Sequence, residues 1–133
     1  MEKTLQQKLI DAANEARKHA YVPYSGYKVG AALLTRSGEI VTGCNIENSS
    51  YTPTVCAERV AIFKAVSEGV VDFVALAVVT DNGGSPCGVC RQVMGEFMLE
   101  GTVLIADKDG NLLEEMSVNE LLPRAFTPKH LGH

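Results

Sequence analysis

Hydrophobic residues recur along this chain with more than one period, and each period predicts a different element. Leu5, Leu9, Ile10, Ala13 and Ala16 return every three or four positions, which predicts an amphipathic helix over residues 3–19. The stretch Tyr21 to Gly26, with Pro23 and the Ser25–Gly26 pair, breaks it. YKVGAALLT (27–35) and EIVTGCNI (39–46) read as two strands joined by a turn at Arg36–Ser37–Gly38. A second helix opens near Cys56 and runs to about Gly69, a residue suited to a helix C-terminus. FVALAVVT (73–80) is apolar without alternation, the pattern of a strand covered on both faces. After the loop DNGGSP come a third helix, GVCRQVMGEFMLE, stopped near Gly101, and the strand TVLIAD. A hairpin turn at Asp109–Gly110 leads into a last strand, NLLEEM, and Val118 to Leu122 forms a short helix ended by Pro123. An N-terminal helix followed by ββαβαββ predicts an α/β fold of three layers, α/β/α, around a mixed central sheet.

Composition leaves that picture intact and narrows the function. The chain has 133 residues, room for one domain over residues 1–133 with a sizeable core, and it shows no repeat, low-complexity tract or linker. Net charge is -4 and the Lys and Arg residues are scattered among acids, so no basic patch for nucleic acid is expected. The N-terminal MEKTLQQKLIDAANEARKH is too polar for a secretory signal and carries acids that a transit peptide avoids. No apolar run approaches the ~20 residues of a membrane helix. A cytoplasmic protein with no membrane partner is the expectation. There, Cys44, Cys56, Cys87 and Cys90 are reduced thiols or metal ligands rather than disulfides.

Cys87 and Cys90 stand three apart at the start of a helix, on one face and near the positive end of its dipole, which favours thiolate. Cys56 lies at another helix start. Two strand-then-helix units can bring such N-termini together at the carboxyl ends of their strands. Three thiolates there would form a zinc site with its fourth position open, the arrangement of a catalytic metal. Alone, a Cys-x-x-Cys pair reads equally as a redox dithiol or as two inert core thiols. Glu58 shares a helical face with Ala61, Ile62, Ala65 and Gly69, so it is expected on the buried side, although an acid at a helix start has a bland electrostatic reading as well. Residues 56 and 58 are about 200° apart on a regular helix, so Cys56 must sit at the cap for the two to converge. A water on zinc is acidified towards pKa ~7, and a nearby carboxylate can take its proton and pass it to a leaving group. Three thiolates on one Zn2+ leave a net negative charge, which Arg59 or Arg91 could offset by donating hydrogen bonds to sulfur. Along EIVTGCNIEN, Val41, Gly43, Asn45 and Glu47 face one way. Ile40, Thr42, Cys44 and Ile46 face the other, a core row that makes Cys44 a buried thiol.

Cys56-Ala57-Glu58-Arg59 followed by Pro86-Cys87-Gly88-Val89-Cys90-Arg91-Gln92 resembles the zinc-dependent cytidine deaminases, specifically the three-cysteine type of nucleoside salvage. PYSGYKVGAALL, GCNIENSSYTPTVCAERVAIFKAVSEG, SPCGVCRQV and ELLPRAF fall in family order, so the likeness spans nearly the whole chain. The resemblance implies a cytidine deaminase-like fold and one Zn2+ per subunit held by Cys56, Cys87 and Cys90. It makes Glu58 the proton shuttle and Arg59 a donor to the ligand sulfurs. It also implies a small pyrimidine nucleoside as substrate, with Asn45 and Glu47 on the ribose 3′-hydroxyl and with Tyr27, Ala57 and Phe126 among the substrate contacts. Finally it implies a homotetramer in which Phe126 reaches into a neighbouring subunit's site. Tyr27 stands where the family usually has Phe, which leaves a modified aminonucleoside open as substrate, and Thr52-Pro53 also departs from the pattern. The rivals are a nucleic-acid-editing deaminase, disfavoured by charge and by 6% aromatic residues, and a redox or structural zinc module in which Glu58 is idle.

Overall fold

Five strands, β1 (Gly30–Thr35), β2 (Ile40–Cys44), β3 (Phe73–Thr80), β4 (Thr102–Asp107) and β5 (Leu112–Ser117), form one sheet in the order β2-β1-β3-β4-β5 in the computed structural model, which describes residues 1–133. Only β3 and β4 run parallel, and the connection between them is the helix α3 (Gly88–Met98), so the sheet is mixed as expected. The uninterrupted apolar run of β3 is explained by its place: it is central, and seven of its eight residues are buried.

Each face of the sheet has its own core. Helix α1 (Lys3–Arg17) sets Leu9, Ile10 and Ala13 against Ala32, Leu34, Ala75, Ala77, Val79, Leu104 and Ala106. On the other face α2 (Ala57–Ser67), α3 and α4 (Val118–Leu121) bring Ala61, Ile62, Met94 and Val118 onto Leu33, Leu76, Val78, Val103 and Ile105. Full burial of each large aliphatic side chain is worth about 1.5–3 kcal/mol. Two glycines set how closely the helices approach. Gly30 and Gly43 occupy neighbouring rungs of the β1–β2 ladder. A Cβ on Gly30 would meet the Ala13 carbonyl oxygen of α1, and one on Gly43 would lie 2.6 Å from both the Ala57 oxygen and the Ala61 nitrogen of α2.

Element ends differ from the sequence reading in informative ways. Helix α2 stops at Ser67 with Glu68 as its cap and Gly69 left-handed at φ 87; the Gly69 N–H reaches the Val66 oxygen and the Val70 N–H the Ala65 oxygen, the double bond of a Schellman stop. The hairpin strands end three residues short at β1 and two at β2. The Asn45 carbonyl accepts from the Tyr21 N–H, so the Val29 N–H turns instead to Asn45 Oδ1 at 2.9 Å, and a side chain closes the ladder. Cys44 is only partly buried, contrary to the expectation of a core thiol. Both faces of the sheet carry helices, so neither row of β2 is the sole core row: Ile40 packs on the α1 side, Val41 on the α2 side, and Gly43 is the one buried residue of the strand. A 3₁₀ turn, Pro128–Leu131, follows Phe126; Thr127 and His130 cap it, and the His130 ring stacks on Phe126 at 5.2 Å.

Gly43→Ala should lower the unfolding free energy in urea by about 1–3 kcal/mol, because the added methyl meets backbone atoms of α2 that cannot rotate away. Unchanged stability would mean that α2 is free to slide.

Candidate active site

Two helix starts meet beyond the ends of β2 and β3, and each begins with a cysteine. Cys56 caps α2 in extended geometry (φ -74, ψ 153) and Cys87 caps α3 in the same way (φ -69, ψ 168). Cys56 thus lies outside regular helical geometry, as its convergence with Glu58 requires. Cys90 stands in the first turn of α3, fully buried. The three sulfurs lie within 4.8 Å of one another and the Cys56 and Cys87 sulfurs are 3.7 Å apart. That is far beyond a disulfide bond of ~2.05 Å. It matches the ~3.8 Å between thiolates placed tetrahedrally at ~2.3 Å from zinc.

Charge at the cluster is balanced by Arg59, whose Nη2 donates to Cys56 Sγ at 3.4 Å. Its Nε is buried without an acceptor, a cost consistent with a cation committed to an anionic partner. Cys56 is pulled down to about 5 by the neighbouring Cys90 thiol and then by Arg59 and Cys87. Cys90 is raised by the same pairing and by burial. All-sulfur donors, one sulfur pair at tetrahedral spacing, a compensating cation and no fourth protein ligand together fit zinc with an open position. Arg91 does not serve the sulfurs. It donates to the Pro86 and Leu121 carbonyls and to Ser85 Oγ, stapling the loop before Cys87 onto α3 and α4.

Glu58 is 3% exposed, in one row with Ala61, Ile62 and Ala65. Burial lifts its carboxyl from the ordinary 4.5 to about 7 and the Cys56 charge adds to the rise, while its own backbone N–H and Arg59 work against it. A carboxyl balanced between its two forms at neutral pH is suited both to take and to give a proton. It shares with Cys56 and Cys87 a cavity of ≈ 280 Å³, which Ser25, Tyr27, Asn45 and Glu47 also line. Two carboxylates and no Lys or Arg face this cavity.

Asn45 and Glu47 are both tied to the loop that precedes β1. Asn45 Nδ2 donates to the Tyr27 carbonyl at 2.8 Å. Glu47 Oε1 accepts from the Tyr24 and Ser25 N–H groups, and Oε2 from the Ser25 hydroxyl, which holds the carboxyl below the usual range. The hydroxyl that Tyr27 adds finds its partner in Asn82 Oδ1 at 2.8 Å. Ala57 is fully buried, the first residue of α2 and behind the cavity lining. Phe126 is 57% exposed and is not brought to the cavity of its own chain. The sequence reading placed Ser25 and Asn82 in loops and gave neither a part in the site, because no spacing marks a side chain that holds another in place.

Residues 3–106 match the family model described as the cytidine and deoxycytidylate deaminase zinc-binding region. The chain belongs to this deaminase family. It is 53% identical over 130 residues to the cytidine deaminase of Sporosarcina psychrophila, covering 96% of this chain and 95% of that one. Identity to the cytidine deaminase of Halalkalibacterium halodurans is 51% over 129 residues, with 95% and 97% covered. The crystal structure of cytidine deaminase from Burkholderia pseudomallei superimposes with a TM-score of 0.86 at 44% identity, covering 95% of this chain and all of that one. Membership of the deaminase family brings a zinc-binding region to the same residues that the sulfur geometry singles out.

Because Glu58 is lifted above its ordinary value, the folded deaminase holds this proton more tightly than the unfolded chain does. Its contribution to stability is complete below about pH 4.5 and is lost as pH rises to about 7. Glu58→Gln should therefore change stability little near pH 4 and raise it by roughly 3 kcal/mol at pH 7. Urea unfolding of both proteins in metal-free form checks this; a difference that stays flat with pH would refute the burial account.

Proposed function

We propose that this chain hydrolyses cytidine and 2′-deoxycytidine to uridine and 2′-deoxyuridine with release of ammonia, as a zinc enzyme of pyrimidine salvage. The observation that carries the reading is a buried carboxyl, Glu58, poised near neutrality in one cavity with an open three-sulfur cluster. Cys56, Cys87 and Cys90 would hold the metal, whose Lewis acidity makes water a nucleophile near neutral pH. Glu58 takes one proton from the attacking water and gives it to N3 of the cytosine ring. It then takes the remaining proton from the new C4 hydroxyl and passes it to the amine, which leaves as ammonia as the C4–N bond breaks and C4=O forms. Arg59 keeps the sulfur cluster from accumulating uncompensated charge. Asn45 has one amide hydrogen beyond that used by Tyr27, and Glu47 is kept anionic by Ser25, so together they can donate to and accept from the ribose 3′-hydroxyl.

The charge of the cavity favours a neutral nucleoside over a nucleotide or a nucleic-acid strand, since no cation faces it and Glu47 would repel a phosphate. A modified aminonucleoside gains no support from Tyr27, whose hydroxyl is engaged by Asn82. Residues 1–133 act as one catalytic domain in this reading. No helix is long and apolar enough to cross a membrane. Four cysteines without a disulfide suit the reducing cytoplasm. Exposed Tyr21, Tyr24, Ile46, Tyr51 and Phe63 supply surface for subunit contacts, and exposed Phe126 would complete a neighbour's site in a homotetramer.

Ultraviolet loss of cytidine, followed with zinc assayed in parallel, tests the reading. Wild-type protein should turn over cytidine and deoxycytidine, with deoxycytidine 5′-monophosphate slower by about 100-fold or more, the effect of ~3 kcal/mol of unfavourable charge. Glu58→Gln should retain zinc and lose at least about 10²–10⁴-fold in kcat. Full activity in that variant would assign the proton transfers elsewhere. Native mass spectrometry should find four chains and four zinc ions, and Phe126→Ala should raise KM for cytidine without dissociating them.

A further inference from the structure

The loop from Asp81 to Pro86, which leads into Cys87, is held by four side chains, Arg17, Thr80, Arg91 and Tyr27, and one tie differs in kind from the rest. Arg17 pairs with Asp81 and donates to the Lys28 carbonyl, fixing the loop's start to α1. Thr80 Oγ1 accepts from the Gly84 N–H at 2.7 Å, a bond within the loop's own turn. Arg91 Nη2 donates to Ser85 Oγ at 2.6 Å and fixes the loop's end to α3. The fourth tie runs from the Tyr27 hydroxyl to Asn82 Oδ1 at 2.8 Å, and it alone joins the loop to the segment before β1 that lines the same cavity.

We propose that Tyr27 and Asn82 are a positioning pair. Their bond fixes the separation between Tyr27 on one side of the cavity and Gly84 and Ser85 on the other, and so sets the fit of the nucleoside ring. The inference rests on the deaminase reading above. Tyr27 is anchored at its other end as well: its N–H donates to Ser25 Oγ at 3.0 Å and its carbonyl accepts from Asn45 Nδ2. The residues that hold Glu47 and serve the sugar thus hold the backbone of Tyr27, and Asn82 holds its tip. Gly84 shows how close the fit is. A Cβ there would lie 2.6 Å from the Tyr27 hydroxyl oxygen but 3.7 Å from the ring carbon that bears it. The hydroxyl can yield only if the ring moves, and moving the ring breaks the bond to Asn82.

Steady-state kinetics on cytidine with Tyr27→Phe, Asn82→Ala and the double variant tests the pair, with hydrogen exchange of amides 81–86 as a readout independent of catalysis. Each single variant should raise KM by roughly threefold to tenfold, the effect of one hydrogen bond, with kcat unchanged. The double variant should be no worse than either single, since both remove the same bond. Exchange in the loop should quicken in all three. Gly84→Ala should raise KM in the wild-type background and lose most of that penalty alongside Tyr27→Phe. Additive penalties, or unchanged KM with unchanged exchange, would overturn the pair. A wild-type protein inactive on cytidine would sink the deaminase reading instead, and the exchange result would then decide alone whether Tyr27 and Asn82 hold the loop.

Discussion

Negative charge on three sulfurs within 4.8 Å of one another is tolerable only where the fold supplies positive ends to meet it, and much of this structure serves that need. Two of the cysteines are helix caps, so unpaired N–H groups of α2 and α3 converge where the charge gathers. Arg59 adds a full cation from the first turn of α2, and zinc would complete the balance. Bringing two helix starts to one point in turn demands a βαβ crossing from β3 through α3 to β4 and a helix pressed against the β1–β2 hairpin. Gly43 permits that pressing, because any side chain there would push Ala57 and Ala61 away and carry Cys56 with them.

The same crowding that gathers the sulfurs dries out Glu58. Its position behind the cap leaves it no donating side chain, and burial rather than a hydrogen-bond partner sets its affinity for protons. A carboxyl held this way weakens the fold at neutral pH, a local cost in stability that the proposed proton transfers would account for. Glu47 is the opposite case. It is more open, takes three hydrogen bonds from the Tyr24–Ser25 loop and stays ionised. Two carboxyls of one cavity are thereby driven apart in proton affinity, the separation that the proposed split between acid–base work and recognition calls for.

The helices and β3 were legible because their periods are long and their neighbours numerous. Gly69 stopped α2 within two residues of the end read from the sequence, and the unbroken run of β3 announced two covered faces. The three cysteines and Glu58 were legible for a different reason: thiols and an acid stood at helix starts where their chemistry is strongest. What stayed hidden depends on side chains that replace backbone. Asn45 closes the hairpin with its amide because Tyr21, distant in sequence, has taken its carbonyl, and no alternation pattern encodes that exchange. The partial exposure of Cys44 escaped because a period of two identifies two rows but not how many faces the sheet has covered. Arg91 looked like a sulfur donor by adjacency to Cys90, yet its long side chain reaches Ser85 and Leu121 instead.

Every residue lining the cavity falls between Ser25 and Cys87, while β4 and β5, which complete the sheet, come later in the chain. A growing polypeptide emerges N-terminus first at roughly 5–20 residues per second. All three cysteines of the cluster are therefore synthesised before β4, the parallel neighbour of β3, exists. Until β4 and β5 are in place the thiols are held by no finished fold. The order of elements thus makes biosynthesis, rather than the finished state, the stage at which these sulfurs are least protected.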